Sequence, residues 1–242
     1  MQHQNINHIR SYVRRQGRIT DAQQRYLTKM WPQIGLEYQQ QMIEPSAIYG
    51  RQAPVILEIG CGMGNSTADT AIAKPENNYL CVEVYKPGLG NLCKLIAEWE
   101  IGNIRLIEYD AVEVVRHMLP AASLAGVHIF FPDPWPKKRH HKRRLIQPPF
   151  VSLLASRLQV GGYMHLTTDW QDYAEQMLAV LSAEPQLSNC FGDFAPHSLG
   201  RPSTRFEERG RRLGHVSRDI YFRCQRQGNT AWSAALTHSS QH

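Results

Sequence analysis

Residues 132–144 gather the most conspicuous chemistry in the chain. Pro132-Asp133-Pro134-Trp135-Pro136 places one acid among three prolines. Proline fixes φ and disfavours helix at the residue before it, so this carboxylate is held on a stiff backbone. Lys137-Lys138-Arg139-His140-His141-Lys142-Arg143-Arg144 follows directly, with no acid. Its six Lys and Arg equal the whole basic excess of the 242-residue chain, which has 27 Lys and Arg against 21 Asp and Glu. The positive charge is therefore local. A charge run is often only a solvated face. This one is internal and adjoins the apolar run GVHIFF (126–131), which argues against a loose tail. Nucleic-acid phosphate is its most economical partner.

A second constellation lies upstream. The apolar run VILEI (55–59) is followed by Gly60, Gly62 and Gly64. Glycines at a strand–helix turn allow positive φ and close approach of a ligand to the backbone. The spacing G-x-G-x-G is one residue short of the dinucleotide fingerprint G-x-G-x-x-G. A pyrophosphate cradle is thereby disfavoured, and S-adenosylmethionine, which carries no phosphate, is favoured. The bland alternative is a tight turn and nothing more. Glu83 follows the next apolar run, where an acid can accept hydrogen bonds from both ribose hydroxyls of an adenosine. Asp110 stands after a third run, where it can reach an adenine amine or cap the following helix. Asp169 stands after a fifth, with helix capping and ligand contact equally open.

These residues need a scaffold that presents strand ends on one side. Strands are expected at 55–59, 79–84, 103–110, 126–131, 161–169 and 219–225. Helices are expected at 65–74, 87–100, from 110 to about 119, 149–158 and 170–182, the last from Trp170, Tyr173, Ala174, Met177, Leu178 and Leu181 at helical spacing. Alternating strands and helices, some strands apolar on both faces, predict an α/β fold with a parallel sheet covered on both sides. Ligands of such sheets bind beyond the carboxyl ends of the strands, where the acids above fall. Residues 1–50 read as a basic N-terminal arm, with Arg10, Arg14, Arg15 and Arg18 ahead of the first acid and Trp31, Ile34, Leu36 and Tyr38 as packing anchors in a loop-rich stretch. Residues 226–242 read as a polar, disordered tail.

The bulk composition closes other doors. At 42% hydrophobic and 20% charged, the chain is neither disordered nor fibrous in type. No apolar run approaches a membrane span, and the start lacks a signal-peptide core. Five cysteines, without a CxxC pair, disfavour a disulfide framework and a zinc site. Cys81 and Cys93 read as buried reduced thiols. A cytoplasmic protein is expected. The acids stand singly and no HExxH spacing occurs, against a metal-dependent nuclease. A nicotinamide dehydrogenase is disfavoured by the glycine spacing and by a basic run it would not need. A non-catalytic RNA-binding scaffold would not need the glycine triplet together with Glu83, Asp110 and Asp133.

FPDPWPKKRHHKRR, LEIGCGMG, VEVYKPG, TTDWQDYAEQML and RPSTRFEERGRRLGH (201–215) together resemble the bacterial tRNA (guanine-N7)-methyltransferase family, as does RSYVRRQGRIT (10–20). The resemblance covers about residues 10–222. It implies a Rossmann-like class I methyltransferase domain over 51–225, with a mostly parallel seven-stranded sheet and helices on both faces. It implies S-adenosyl-L-methionine as cofactor, converted to S-adenosyl-L-homocysteine, held by Glu58, Glu83, Asp110 and Asp133 beside Gly60, Gly62 and Gly64. Asp133 matches the residue usually assigned as catalytic. Lys137, Asp169, Thr204, Arg205, Phe206 and Glu207 match substrate-binding positions. Arg139, His140, His141, Lys142, Arg143 and Arg144 match an RNA-contacting segment. The implied substrate is the variable-loop guanosine at tRNA position 46, with no membrane and no metal, as monomer or homodimer. Arg205 stands where the family more often has Lys, and Arg218 where it commonly has an aromatic.

The chemistry of guanine limits what such a site must do. N7 carries an in-plane lone pair and no proton, so no general base is needed to create the nucleophile. Alignment and stabilisation of the positive charge gained by the ring are the needs. Asp133 can meet the second. Trp135 or Phe206 can stack on an unstacked guanine, or simply pack in the core.

Overall fold

A computed structural model describes residues 11–12, 17–196 and 199–225. Arg10, Arg14 and Arg15 of the basic arm, the segment 226–242 and the side chain of Arg205 lie outside the described residues. In chain order the elements are α1 (Asp21–Ile34), α2 (Pro45–Tyr49), β1 (Val55–Ile59), α3 (Asn65–Ala73), β2 (Asn78–Val82), α4 (Lys86–Glu98), β3 (Ile104–Ile107) and α5 (Ala111–His117). Then follow β4 (Leu124–Phe130), a 3₁₀ helix (Lys138–Arg143), α6 (Pro148–Arg157), β5 (Leu158–Thr168), α7 (Gln171–Ser182), β6 (Leu187–Asn189), α8 (Arg205–Arg212) and β7 (Arg218–Cys224).

The seven strands form one sheet in the order β3-β2-β1-β4-β5-β7-β6. The first five are mutually parallel, and β7 runs antiparallel to both β5 and β6. The order reverses between β1 and β4, which opens a crevice at their carboxyl ends. Every residue of β1 is buried. Period-two alternation sends Val55, Leu57 and Ile59 into the core built with α5, α6 and α7, and Ile56 into the core built with α1, α3 and α4. Glu58 shares the second face with Ile56. Both sheet faces are thus covered, and the expected α/β architecture holds. Cys81 and Cys93 are buried free thiols. Among the described residues, no helix is long and apolar enough to cross a membrane.

The N-terminal stretch departs from the loop-rich expectation. Residues 21–34 form α1, opened by a capping box in which Thr20 and Gln23 exchange side-chain–backbone hydrogen bonds. Such a box satisfies two orphan donors at a helix start. Leu27 and Ile34 are buried in the second core, with Met30 and Trp31 packed against it. Gly90 of α4 has no Cβ to strike the Gln23 carbonyl, which an added carbon would meet at 2.9 Å. Beyond α1, Gly35 bridges Leu106 in parallel, and Leu36 N–H donates to the Leu106 carbonyl at 2.8 Å. Trp31 and Ile34 are therefore anchors as expected, but on a helix. Its polar residues and Pro32 in the last turn mask the i, i+3, i+7 spacing of Leu27, Met30 and Ile34.

Candidate active site

The glycine loop leaves β1 and enters α3. Gly60, Gly62 and Gly64 all have positive φ, at 82°, 55° and 74°. A Cβ at Gly60 or Gly62 would meet nothing within 4 Å, so the peptide edge there borders open space. The other side is tight. A Cβ on Gly88, in the first turn of α4, would lie 1.9 Å from the Gly62 carbonyl oxygen. The loop is thus pressed onto α4 from behind and accessible in front.

Glu83 fastens the loop to the end of β2. Its Oε2 accepts from Gly62 N–H at 2.8 Å, and its Oε1 from the N–H groups of Val84 and Tyr85 at 2.6 and 2.9 Å. Burial raises its pKa, those three N–H donors oppose the rise, and nearby Asp133 adds to it. Glu58 lies beneath the loop, 5% exposed, and its Oε1 accepts from the Thr67 hydroxyl at 3.0 Å. Burial pushes its carboxyl up to about 7, against the Thr67 hydrogen bond and with help from Glu83.

Asp110 caps α5. Its Oδ1 accepts from Val112 N–H at 2.8 Å and Glu113 N–H at 3.4 Å. The capping reading is realised, at the carboxyl end of β3 on the same side of the sheet as Glu83. Asp169 is different. The N-cap of α7 is Trp170, without a side-chain capping bond. Asp169 Oδ2 instead lies 2.9 Å from His215 Nδ1, beyond the end of α8. The capping alternative falls, because the carboxylate points across to another segment and not down its own helix.

Asp133 sits in a loop of unusual backbone. Phe131 and Trp135, on either side, have φ of 51° and 46°. Non-glycine residues rarely occupy this region, and each instance costs on the order of 1–3 kcal/mol. The loop is held by named contacts. Phe131 N–H donates to the Thr167 carbonyl of β5 at 2.8 Å, and Arg144 Nε donates to the Pro134 carbonyl at 2.9 Å. Trp135 is occupied by neighbouring segments. Its indole N–H donates to the Ser11 carbonyl at 2.9 Å, the Arg143 guanidinium lies 4.9 Å from its ring centroid, and His140 meets it edge-on.

The basic run divides. Lys137, Lys138, Arg139 and Lys142 are exposed, and His140, His141 and Arg143 are half-buried. Arg144 is 2% exposed. Besides Pro134 it donates to Gln176 and Asp172 of α7, lies near His141, and covers the Tyr173 ring at 4.8 Å. This corrects its expected place in an RNA-contacting surface. The Arg144 guanidinium is thus committed to holding the Asp133 loop to α7.

The tetrad at 204–207 opens α8. The Thr204 hydroxyl accepts from Glu207 N–H at 3.0 Å as the N-cap, and Arg205 is the first helical residue. Phe206 is 54% exposed, with its ring 5.1 Å from that of Phe131. Glu207 is buried and takes Arg201 in bidentate fashion, Nη1 to Oε2 at 2.6 Å and Nη2 to Oε1 at 2.9 Å. Sequence reasoning missed α8, whose composition is strongly polar, although Thr204-x-x-Glu207 is a helix-start signature. It also missed Asp219 of β7, which is 1% exposed and joins Arg201, His165 and Thr167. Nothing in the local sequence marks Asp219, because its partners come from distant segments.

The family described as “Putative methyltransferase” matches residues 52–220. The tRNA (guanine-N(7)-)-methyltransferase of Dechloromonas aromatica is 59% identical over 216 residues, 89% of this chain and 88% of that protein. The protein of the same name from Thiobacillus denitrificans is 57% identical over 215 residues, 89% of this chain and 95% of that one. Among solved structures, the 16S rRNA methyltransferase KamB aligns with a TM-score of 0.55 at 14% identity, over 75% of this chain and 92% of that one. The 16S rRNA (adenine(1408)-N(1))-methyltransferase from Catenulisporales acidiphilia aligns with a TM-score of 0.53 at 15% identity, over 77% and 94%. At such identities these two establish the class I methyltransferase fold alone. Identity near 60% across nearly nine-tenths of the chain and the matched family lead to one conclusion: the chain belongs to the tRNA (guanine-N(7)-)-methyltransferase family.

Proposed function

We propose that this protein transfers a methyl group from S-adenosylmethionine to N7 of a guanosine in tRNA, the variable-loop position 46 being its target. One observation carries the reading. The strained loop bearing Asp133 leaves the end of β4, the parallel neighbour of β1 whose end carries the glycine loop, and the exposed cations Lys137, Lys138, Arg139 and Lys142 begin four residues later. That arrangement supports a single crevice shared by methyl donor, acceptor base and phosphate backbone.

The residues present fit the cofactor. The open peptide edge at Gly60 and Gly62 would border it, Glu83 would meet its ribose and Asp110 its adenine amine. Glu58, a buried carboxyl raised to about 7, suits a cationic amino group, which would favour its ionised form. When bound, the cofactor supplies an electrophilic sulfonium methyl. The rest belongs to the chain. Asp133 orients the base through its ring N–H or amine and stabilises the positive charge that develops on the ring. It need not abstract a proton to create the nucleophile, because N7 carries none. Stiff placement of that carboxylate is what the prolines, Thr167 and Arg144 provide. Phe206, half-exposed beside Phe131, is the aromatic available to stack on the guanine, since Trp135 is committed to Ser11 and Arg143. Lys137, Lys138, Arg139 and Lys142 hold phosphates, while Asp169, with His215, lines the substrate side.

The test is direct. Purified protein is incubated with labelled S-adenosylmethionine and unmodified tRNA, and the label is mapped. A methyl on guanine N7 is expected; transfer to another atom, or none, would overturn the reading.

A further inference from the structure

Arg201 joins three elements of the molecule: β7, α8 and the loop after β4. Its Nε donates to Asp219 Oδ1 on β7 at 3.0 Å, and its two Nη atoms grip both oxygens of Glu207 on α8. Its guanidinium also lies 5.4 Å from the Phe130 ring centroid and 5.8 Å from that of Phe131. Phe131 is the strained residue two positions before Asp133, and Phe131 in turn touches Phe206. The Arg201 side chain is 5% exposed and Asp219 is fully buried. Asp219 is itself fixed by the Thr167 hydroxyl at 2.7 Å and by His165 Nε2 at 2.8 Å. Thr167 is also the residue whose carbonyl accepts from Phe131 N–H. The sheet end, the Asp133 loop and the first turn of α8 therefore meet at one planar cation.

We propose that Arg201 is a positioning residue for methyl transfer. It sets the Phe206 ring and the Asp133 carboxylate in register with one another, and Asp219 is its anchor on the sheet. This rests on the function proposed above and adds to it the group that couples the two substrate-facing elements. The chemistry requires arginine. Only a planar fork can serve Glu207 in bidentate fashion and still present Nε to Asp219. Lysine keeps the charge and offers a single point donor, so one of the two connections loosens. Misplacement of a substrate-facing group by about 1 Å can cost on the order of 100-fold in rate.

The test uses Arg201→Lys, Phe206→Ala and the double variant in the full-length protein. Methionine at 201 is avoided because it would leave Glu207 and Asp219 buried together without a cation. Each variant is measured for cofactor affinity by calorimetry, for tRNA affinity by filter binding and for single-turnover methylation. Arg201→Lys is expected to lower the methylation rate by roughly 10- to 100-fold, with cofactor affinity within about twofold of wild type. The double variant is expected to be no slower than the slower single variant, because both lesions remove the same placement. Asp219→Asn, which removes the charge of the anchor and leaves the Arg201–Glu207 pair intact, is expected to show the same non-additivity with Phe206→Ala. Multiplicative losses in both double variants would overturn the proposal, as would an Arg201→Lys loss that resides wholly in cofactor affinity. If wild type places no methyl on N7, the functional reading fails; the same cycles read as tRNA affinity then still decide the coupling.

Discussion

Glu58→Gln separates the stability of this protein from its function at a single atom. The carboxyl lies beneath the glycine loop, 5% exposed, and burial raises its pKa from 4.5 to about 7. A raised folded-state pKa means that the native protein binds this proton more tightly than the unfolded chain. Between pH 4.5 and 7 the native state therefore holds more protons, and this group's contribution to stability falls as pH rises through that window. At about 1.36 kcal/mol per unit, the ionised Glu58 of the cofactor-free protein costs about 3 kcal/mol at pH 8 and under about 1 kcal/mol at pH 5. Glutamine keeps an oxygen for the Thr67 hydroxyl and does not ionise. The variant is expected to be more stable than wild type by up to about 3 kcal/mol at pH 8 and nearly equal to it at pH 5. Urea unfolding of both cofactor-free proteins at pH 5, 6, 7 and 8 measures this difference, and comparing variants cancels every other titrating group. The same substitution is expected to weaken S-adenosylmethionine binding at pH 8, since a neutral amide cannot pair with the cofactor's amino group. Stability and binding then move in opposite directions, a trade familiar at functional sites. A stability difference that is flat with pH, or a variant less stable than wild type at pH 8, would refute the account of Glu58 as a carboxyl held neutral by desolvation.

Asp133→Asn is expected to cut single-turnover methylation about 100- to 1000-fold, the usual range for removal of one preorganised electrostatic partner, while calorimetry finds cofactor affinity changed only a few-fold. Neutralising Lys138, Arg139 or Lys142 one at a time should reduce the slope of log affinity for tRNA against log salt by about 0.7–0.9 for each phosphate that is no longer neutralised. Arg144→Ala should instead lower the melting temperature, because its guanidinium is buried among Pro134, Gln176 and Asp172; an unchanged melting temperature with a smaller salt slope would return it to the RNA surface. Gly88→Ala should abolish cofactor binding measured by calorimetry, since the new carbon would sit 1.9 Å from the Gly62 carbonyl and must displace the loop.

How much of the protein is legible in its sequence follows from where the signal resides. The strands β1 to β5 and their helices are written in short apolar runs and helical spacings, so their succession along the chain and parallel sense can be read from pattern. Glu83, Asp110 and Asp133 stand out because each directly follows such a run. Helices α1 and α8 escape for the same reason in reverse. Their apolar residues are few, and their start signals, Thr20 with Gln23 and Thr204 with Glu207, are carried by capping chemistry and not by periodicity.

By itself, then, the sequence determined the parallel α/β sheet, the location of the ligand crevice at its strand ends, the glycine loop, the lone acid among prolines and the local source of the positive charge. Each of these depends on neighbours within a few residues, through backbone preference or a run of like side chains. Tertiary structure decided which members of those motifs face outward. Arg144 and Glu207 look like their neighbours in sequence, yet one is spent on α7 and the other on Arg201. It also decided that Asp169 meets His215 and that Asp219 anchors Arg201. A charge becomes scaffold or contact surface according to the partners that folding brings against it, and burying it without such a partner costs several kcal/mol.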